Sequence, residues 1–183
     1  MSTATSSTVV PAGTWAIDPS HSKVGFSVKH MGIATVRGEF EKYEGALVVG
    51  ADGSYTITAT VEAASINTQE KDRDAHLRSP DFFNAEEHPQ LTLEATAVED
   101  GDDELEITGR LTMNGITNDV ALEAEVLGAD VDPWGNERVG LELRGQLSRG
   151  DYGMKFNQAL GSGNMLVSDK VKIVIDVSLV KQP

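Results

Sequence analysis

Apolar and polar residues take turns along almost the whole of this chain, and a period of two admits few folds. Val24, Phe26 and Val28 share one face of residues 23–29, with Lys23, Gly25, Ser27 and Lys29 on the other. The pattern returns in Ile57, Ala59 and Val61, in Leu91, Leu93, Ala95 and Ala97, and in Leu105, Ile107, Gly109, Leu111 and Met113. It continues through Val120, Leu122, Ala124 and Val126, then Val139, Leu141, Leu143, Gly145 and Leu147, then Val171, Ile173, Ile175, Val177 and Leu179. Between residues 33 and 49 the phase changes once. Val36, Gly38 and Phe40 are followed by Tyr43, Gly45, Leu47 and Val49, which predicts a β-bulge at residues 41–42.

Turn signals separate these runs: Asp52-Gly53, an acidic stretch about Gly101, Asn114-Gly115, and Asp132-Pro133-Trp134-Gly135. Eight strands joined mostly by short turns describe an antiparallel meander. A strand with one apolar face belongs either to a two-sheet sandwich or to a sheet closed into a barrel. Gly38, Gly45, Gly109 and Gly145 fall on the apolar face, where sheets bend sharply, and favour closure. The expected fold is all-β, an eight-stranded antiparallel barrel with one helical insertion between the third and fourth strands.

The insertion is residues 65–83, where the alternation stops. Asn67 with Glu70 three residues on is an N-terminal helix signal, since the amide oxygen can accept an orphan N–H while the carboxylate reaches back. Residues 69–78 lack Gly, Pro and β-branched side chains, and Asp74 with Arg78 has the favourable i,i+4 order. Ser79-Pro80 stops the helix, and Pro80 opens a short turn carrying Asp81, Phe82 and Phe83. Only Ala75 and Leu77 are apolar, so the helix has to lie on a surface or over an opening. It reads as a lid whose two phenylalanines plug a mouth, or as a plain crossover at one barrel end.

A chain of 183 residues makes one domain, which buries roughly 70% of its unfolded surface. Residues 1–13 read as a disordered tail and 14–183 as the domain. The first fifteen residues carry neither a basic patch nor a long apolar run, so the expectation is a cytoplasmic protein without stable membrane insertion. A formal charge of -14 repels nucleic acid, and the absence of cysteine excludes disulfides and thiolate metal sites.

Six inward positions are small: Ala59, Ala95, Ala97, Gly109, Ala124 and Gly145. An eight-stranded barrel either fills itself with side chains or holds one slender ligand, and trimmed side chains tilt it toward a cavity. The expected lining is Phe26, Val28, Phe40, Ile57, Ala59, Leu93, Ala95, Ile107, Leu111, Leu122, Leu141, Leu143, Phe156 and Ile173. Such a wall suits an alkyl or prenyl chain, each buried methylene contributing about 0.8 kcal/mol relative to water. A lipid drawn from a bilayer leaves one apolar medium for another, which suits a carrier. A bulky Ala95→Trp change is expected to block the cavity and spare the fold.

Residues 150–169 are long for a connection, and Met154, Phe156, Leu160 and Met165 are placed to dip into a barrel mouth. His21, His30, His76 and His88 lack the spacing of a zinc motif, so neither a metal nor another cofactor is expected. Two other functions stay open: an isomerase or hydrolase of a lipid-like substrate using His76 and Asp74, and an interaction module with a solid barrel. Pairing of an exposed edge would give a homodimer.

The segments WAIDPSHSKVGFSVKH (15–30), VRGEF (36–40), ASINT (64–68), RDAHLRSPDFF (73–83), GRLTMNGIT (109–117), SRGDYG (148–153) and VSDKVKIVID (167–176) resemble, in order, those of the YceI-like family of lipocalin-fold, polyisoprenoid-binding proteins. The resemblance implies a lipocalin-like barrel holding a long prenyl or other amphiphilic lipid, a prenyl phosphate or a prenyl quinone, for storage or transport and without a catalytic set. Many members are exported and this chain carries no leader, so an envelope role does not follow. The shared His21, His76 and Arg149 read as pins that hold loops, with no headgroup role assigned.

Overall fold

Strand formation follows the alternation closely. In a computed structural model, which describes residues 9–183, the runs become β1 (Gly13–Ile17), β2 (Lys23–His30), β3 (Ala34–Phe40), β4 (Tyr43–Val49), β5 (Tyr55–Glu62), β6 (Ile66–Asn67), β7 (Gln90–Glu99), β8 (Glu104–Met113), β9 (Ile116–Val131), β10 (Glu137–Ser148) and β11 (Val167–Lys181), with α1 (Lys71–Arg78) between β6 and β7. All pairings are antiparallel, in the order β1-β4-β5-β7-β8-β9-β10-β11, and β1 meets β11 to close an eight-stranded barrel. Asn114 and Gly115 both take positive φ, 53° and 73°, as a two-residue hairpin requires.

The closing edge of β11 is shared. Its end pairs with β1, Ile17 opposite Leu179, and its body pairs with β2, from Lys23 opposite Asp176 to His30 opposite Val167. Strands β1 and β2 thus occupy one slot in the wall, interrupted by the turn at residues 18–22. The phase change at residues 41–42 has the same origin and is not a bulge. Glu41 N–H donates to Ser65 O at 3.1 Å and Lys42 O accepts from Glu62 N–H at 2.9 Å, so the chain exchanges partners at a corner. Before it, β3 lies between β2 and β6; after it, β4 lies between β1 and β5. The register shifts fall instead between β9 and β10 near Gly140 and between β11 and β2 near Val167. Closure through β1 and β11 leaves the ring itself without an open edge, while among the described residues the short β6 pairs only with β3.

Two further expectations need correction. Residues 1–8 of the expected tail lie outside the described residues, but the rest of it is structured. Val10 is wholly buried, its N–H 3.3 Å from the Tyr55 hydroxyl, and Val9 N–H donates to Glu99 Oε1 at 2.8 Å. An apolar pair beside an open barrel end is better buried than solvated. The helix starts at Lys71, not at residues 67–69. Glu70 caps it by accepting from Asp72 N–H and Arg73 N–H, while Asn67 Oδ1 accepts from Gln69 N–H in a separate turn that puts Gln69 at φ 67°.

Inward side chains gather in two clusters. Trp15, Leu47, Val49, Tyr55, Leu105, Val139 and Leu179 are among those filling the end beneath Val10. Phe40, Ile66, Phe82, Leu91, Met113, Tyr152 and Met154 fill the end under α1. No helix among the described residues is long and apolar enough to cross a membrane.

The first end offers a test. Tyr55 is 2% exposed, its hydroxyl donates to Glu99 Oε1 at 2.8 Å, and burial foremost pushes its pKa up to about 12. In the unfolded chain tyrosine ionises near pH ~10, so this group's contribution is complete below that and falls as pH rises toward about 12. A series of urea midpoints across this alkaline range should decline less steeply for Tyr55→Phe than for the parent chain. Parallel declines would mean that Tyr55 does not set the alkaline limb.

Candidate ligand cavity

Between the two clusters the barrel encloses a cavity of about 410 Å³, within the ordinary range for small-molecule sites of roughly 300–1,000 Å³. An interior of this kind overturns the solid-barrel expectation. Inward positions of most strands supply the wall, including Phe26, Val28, Phe40, Ile57, Ala59, Leu93, Ile107, Leu111, Leu141, Leu143 and Ile173, with Phe156 from the 150–169 segment. The same parity brings in Val24, Val36, Val61, Val171 and Ile175. Leu77 of the helix and Phe82 and Phe83 beyond it complete the covered end; no strand periodicity pointed to them.

Ala95 and Leu122 were expected on this wall and do not lie on it. Both are buried in the opposite cluster, 6% and 5% exposed. A Cβ built on Gly109 would come 2.4 Å from Ala95 Cβ, and one on Gly145 would come 2.2 Å from Leu122 Cδ2. Gly109, Ala95 and Gly145 therefore let neighbouring strands and side chains close together and seal that end without opening space, whereas Ala59 lies on the cavity wall. Ala95→Trp is accordingly expected to damage the fold, lowering the unfolding free energy by about 3 kcal/mol through overpacking. Urea unfolding checks this, and a near-native midpoint would count against it.

The covered end is built around aromatic rings. His76 packs edge-on to Phe82 and Phe156 at centroid distances of 5.0 and 4.6 Å, Phe82 and Phe156 lie 5.5 Å apart, and Phe83 meets Phe40 edge-on at 5.6 Å. Of the four side chains expected to dip into the mouth, Met154 and Phe156 line the cavity. Leu160 and Met165 do not, and Met165 is 47% exposed.

Polar pins hold this cover in place. Thr68 is buried at 3% exposure; its N–H and hydroxyl both donate to Asp74 Oδ1, at 2.8 and 2.5 Å, while Arg73 donates to the Thr68 hydroxyl and carbonyl. Asp74 is thereby turned to Thr68, and the expected ion pair with Arg78 does not form. His76 Nε2 sits 2.9 Å from Asp81 Oδ2, so His76 and Asp74 have different partners and do not assemble an acid/base pair. Among the described residues no three His, Cys, Asp or Glu side chains gather as metal ligands.

Arg149 is 6% exposed and donates to three carbonyls: Nε to Ser168 at 2.9 Å, and the two terminal nitrogens to Met154 at 2.6 Å and Val167 at 3.3 Å. It ties both arms of the 150–169 segment together and lies over the Phe82 ring. Burial draws its pKa below the ordinary arginine value, with Asp169 opposing. His21 serves the other end, where its Nδ1 is 2.8 Å from Asp18 Oδ2. Ser20, His21 and Arg138 hold the Asp18 carboxyl well below the usual carboxylate range. The polar side chains of the cavity concentrate at the covered end, where Thr68, Arg73, His76 and Arg149 line it. Among the described residues neither Arg73 nor Arg149 has a carboxylate within ion-pair distance.

Comparison with known proteins places these features in context. The YceI-like domain family matches residues 15–179. Protein YceI of Escherichia coli O157:H7 is 36% identical over 164 residues, covering 88% of this chain and 83% of its own. The crystal structure of the Campylobacter jejuni YCEI protein superposes with a TM-score of 0.72 at 28% identity, over 85% of this chain and 90% of that one. The polyisoprenoid binding domain from Saccharophagus degradans implicated in plant cell wall breakdown shares the fold, with a TM-score of 0.66 at 15% identity, over 92% of this chain and 98% of that one.

Proposed function

The chain belongs to the YceI-like domain family, and from that premise we propose that it holds one long-chain amphiphilic lipid, a polyisoprenoid such as a prenyl phosphate or a prenyl quinone, for storage or transport. One observation carries the reading: an apolar cavity of about 410 Å³ whose polar side chains concentrate at the covered end. An amphiphile with a long tail and a single polar head has the same asymmetry. The tail would occupy the wall formed by Val28, Ile57, Leu93, Leu141 and Ile173, and the head would lie near Arg73, His76 and Arg149. Arg149, buried and among the described residues without a carboxylate in ion-pair distance, favours an anionic or strongly accepting head, because a guanidinium in a poorly solvated place gains from such a partner. The exposed Arg73 adds a second positive charge beside it. The Saccharophagus degradans domain of like fold, itself a polyisoprenoid binding domain, supports the same ligand class.

Mass spectrometry of the freshly purified chain, under native conditions and again after organic extraction, tests the proposal. The expected result is one prenyl or quinone-like lipid per chain. A bare protein mass, together with failure to take up added prenyl lipids, would overturn it.

A further inference from the structure

Among the described residues, apolar side chains are also exposed outside the cavity. The turn between β2 and β3 exposes Met31 (37%) and Ile33 (81%), and the loop beside it exposes Met165 (47%). These side chains sit on one joined tip. Met31 N–H donates to Leu166 O at 2.8 Å, His30 pairs with Val167, and Ala159 bridges Met165. The tip adjoins the cavity, because His30, Leu166 and Val167 line it.

Its charge is opposite to that of the rest of the chain. Residues 24–38 and 152–168 contain no Asp or Glu, although the chain has 29, and they carry Lys29, Arg37 and Lys155. Among the described residues none of these three has a carboxylate within ion-pair distance. Of the flanking carboxylates, Asp169 is engaged by Gly150 N–H at 3.0 Å. The opposite end of the barrel also exposes apolar side chains, Leu127, Val131 and Trp134, but among Asp130, Asp132 and Glu137. An anionic surface repels that end and attracts the tip.

We propose that the Met31, Ile33 and Met165 tip docks on an anionic lipid bilayer and brings the cavity rim against the membrane. The inference rests on the lipid-holding reading, which it extends by naming where the lipid enters and leaves. Apolar side chains enter the headgroup layer while the three cations meet lipid phosphates, the usual combination for peripheral binding. Met31, Ile33 and Met165 do not line the cavity, so changing them separates docking from holding.

The test is co-sedimentation of the full chain with vesicles of phosphatidylglycerol and phosphatidylcholine in equal parts, and with phosphatidylcholine alone, for the parent, Ile33→Asp and Met165→Asp. Alongside it, uptake of a prenyl alcohol from detergent micelles is measured, and the mass of each protein by ultracentrifugation. The expected result is binding to the mixed vesicles, weakened by added salt and by about tenfold or more in each variant, with micellar uptake unchanged. Absent vesicle binding, or equal binding by the variants, overturns the docking proposal whatever the uptake. A parent dimer that the variants dissociate, without vesicle binding, also overturns it and makes the tip a contact between copies. Loss of micellar uptake by the parent itself would instead strike the holding reading.

Discussion

Ala59→Trp is expected to abolish lipid uptake while leaving the barrel folded. Ala59 lines the cavity on β5, opposite Gly45 on one side and Leu93 on the other. A Cβ built on Gly45 would meet Ile17 Cδ1 at 2.7 Å and Ala59 Cβ at 3.3 Å, so Ile17 covers that glycine and an indole at 59 has to point away from it, into the cavity that Ala59 lines. An indole there projects into open volume, unlike one at Ala95, and overpacking should stay near the lower end of its usual cost, about 1 kcal/mol. Excluding four or five methylenes of a bound chain forfeits about 3 to 4 kcal/mol, a loss of a few hundredfold in affinity. Titration of a fluorescent prenyl analogue from detergent, beside a urea midpoint for each protein, measures both effects. Normal uptake by a well-folded Ala59→Trp protein would show that the lipid does not lie in this cavity.

Arg149→Met is expected to have the larger effect on the fold. The substitution keeps much of the apolar stem but leaves the carbonyls of Ser168 and Met154 without this donor, while Val167 O keeps Asn157 Nδ2 at 2.8 Å. Unsatisfied buried acceptors cost about 1–3 kcal/mol each, partly relieved where water can enter, so the unfolding free energy should fall by about 3 to 5 kcal/mol. Arg149→Lys should recover only part of this, because a single ammonium cannot reproduce a planar fork pointing at three acceptors. Hydrogen exchange gives a second reading: amides of residues 154–168 should lose protection while those of β7 and β8 keep theirs. A midpoint close to the parent's would mean that Arg149 serves mainly a ligand and not the cover.

Much of this was legible beforehand because strand alternation is a local property. Parity alone put Val28, Ile57, Leu93, Leu141 and Ile173 on the inner face, and each lines the cavity. Parity says nothing of height along the barrel, which is why Ala95 and Leu122 were assigned to the cavity and lie in the sealed end. Small residues were read as space, yet space depends on what stands opposite. Leu122 covers Gly145, and β8 comes close to β7 where Gly109 faces Ala95. Nor did any pattern reveal β1, whose five residues follow a stretch without turn or strand signals and acquire a partner only when β11 and β4 come together.

The chain's own order of residues therefore determined the all-β character, the inner face of each strand, the turn at Asn114-Gly115 and the presence of one polar helix before two phenylalanines. These depend on neighbours a few positions apart, whose steric and solvation preferences act in any context. Only the tertiary structure decided which strands share a slot, that residues 41–42 form a corner, where the cavity ends, and that Asp74 and His76 part company for Thr68 and Asp81. Each of those outcomes depends on groups brought together by closure of the ring, and a carboxylate or a carbonyl takes the donor that the closed barrel presents to it.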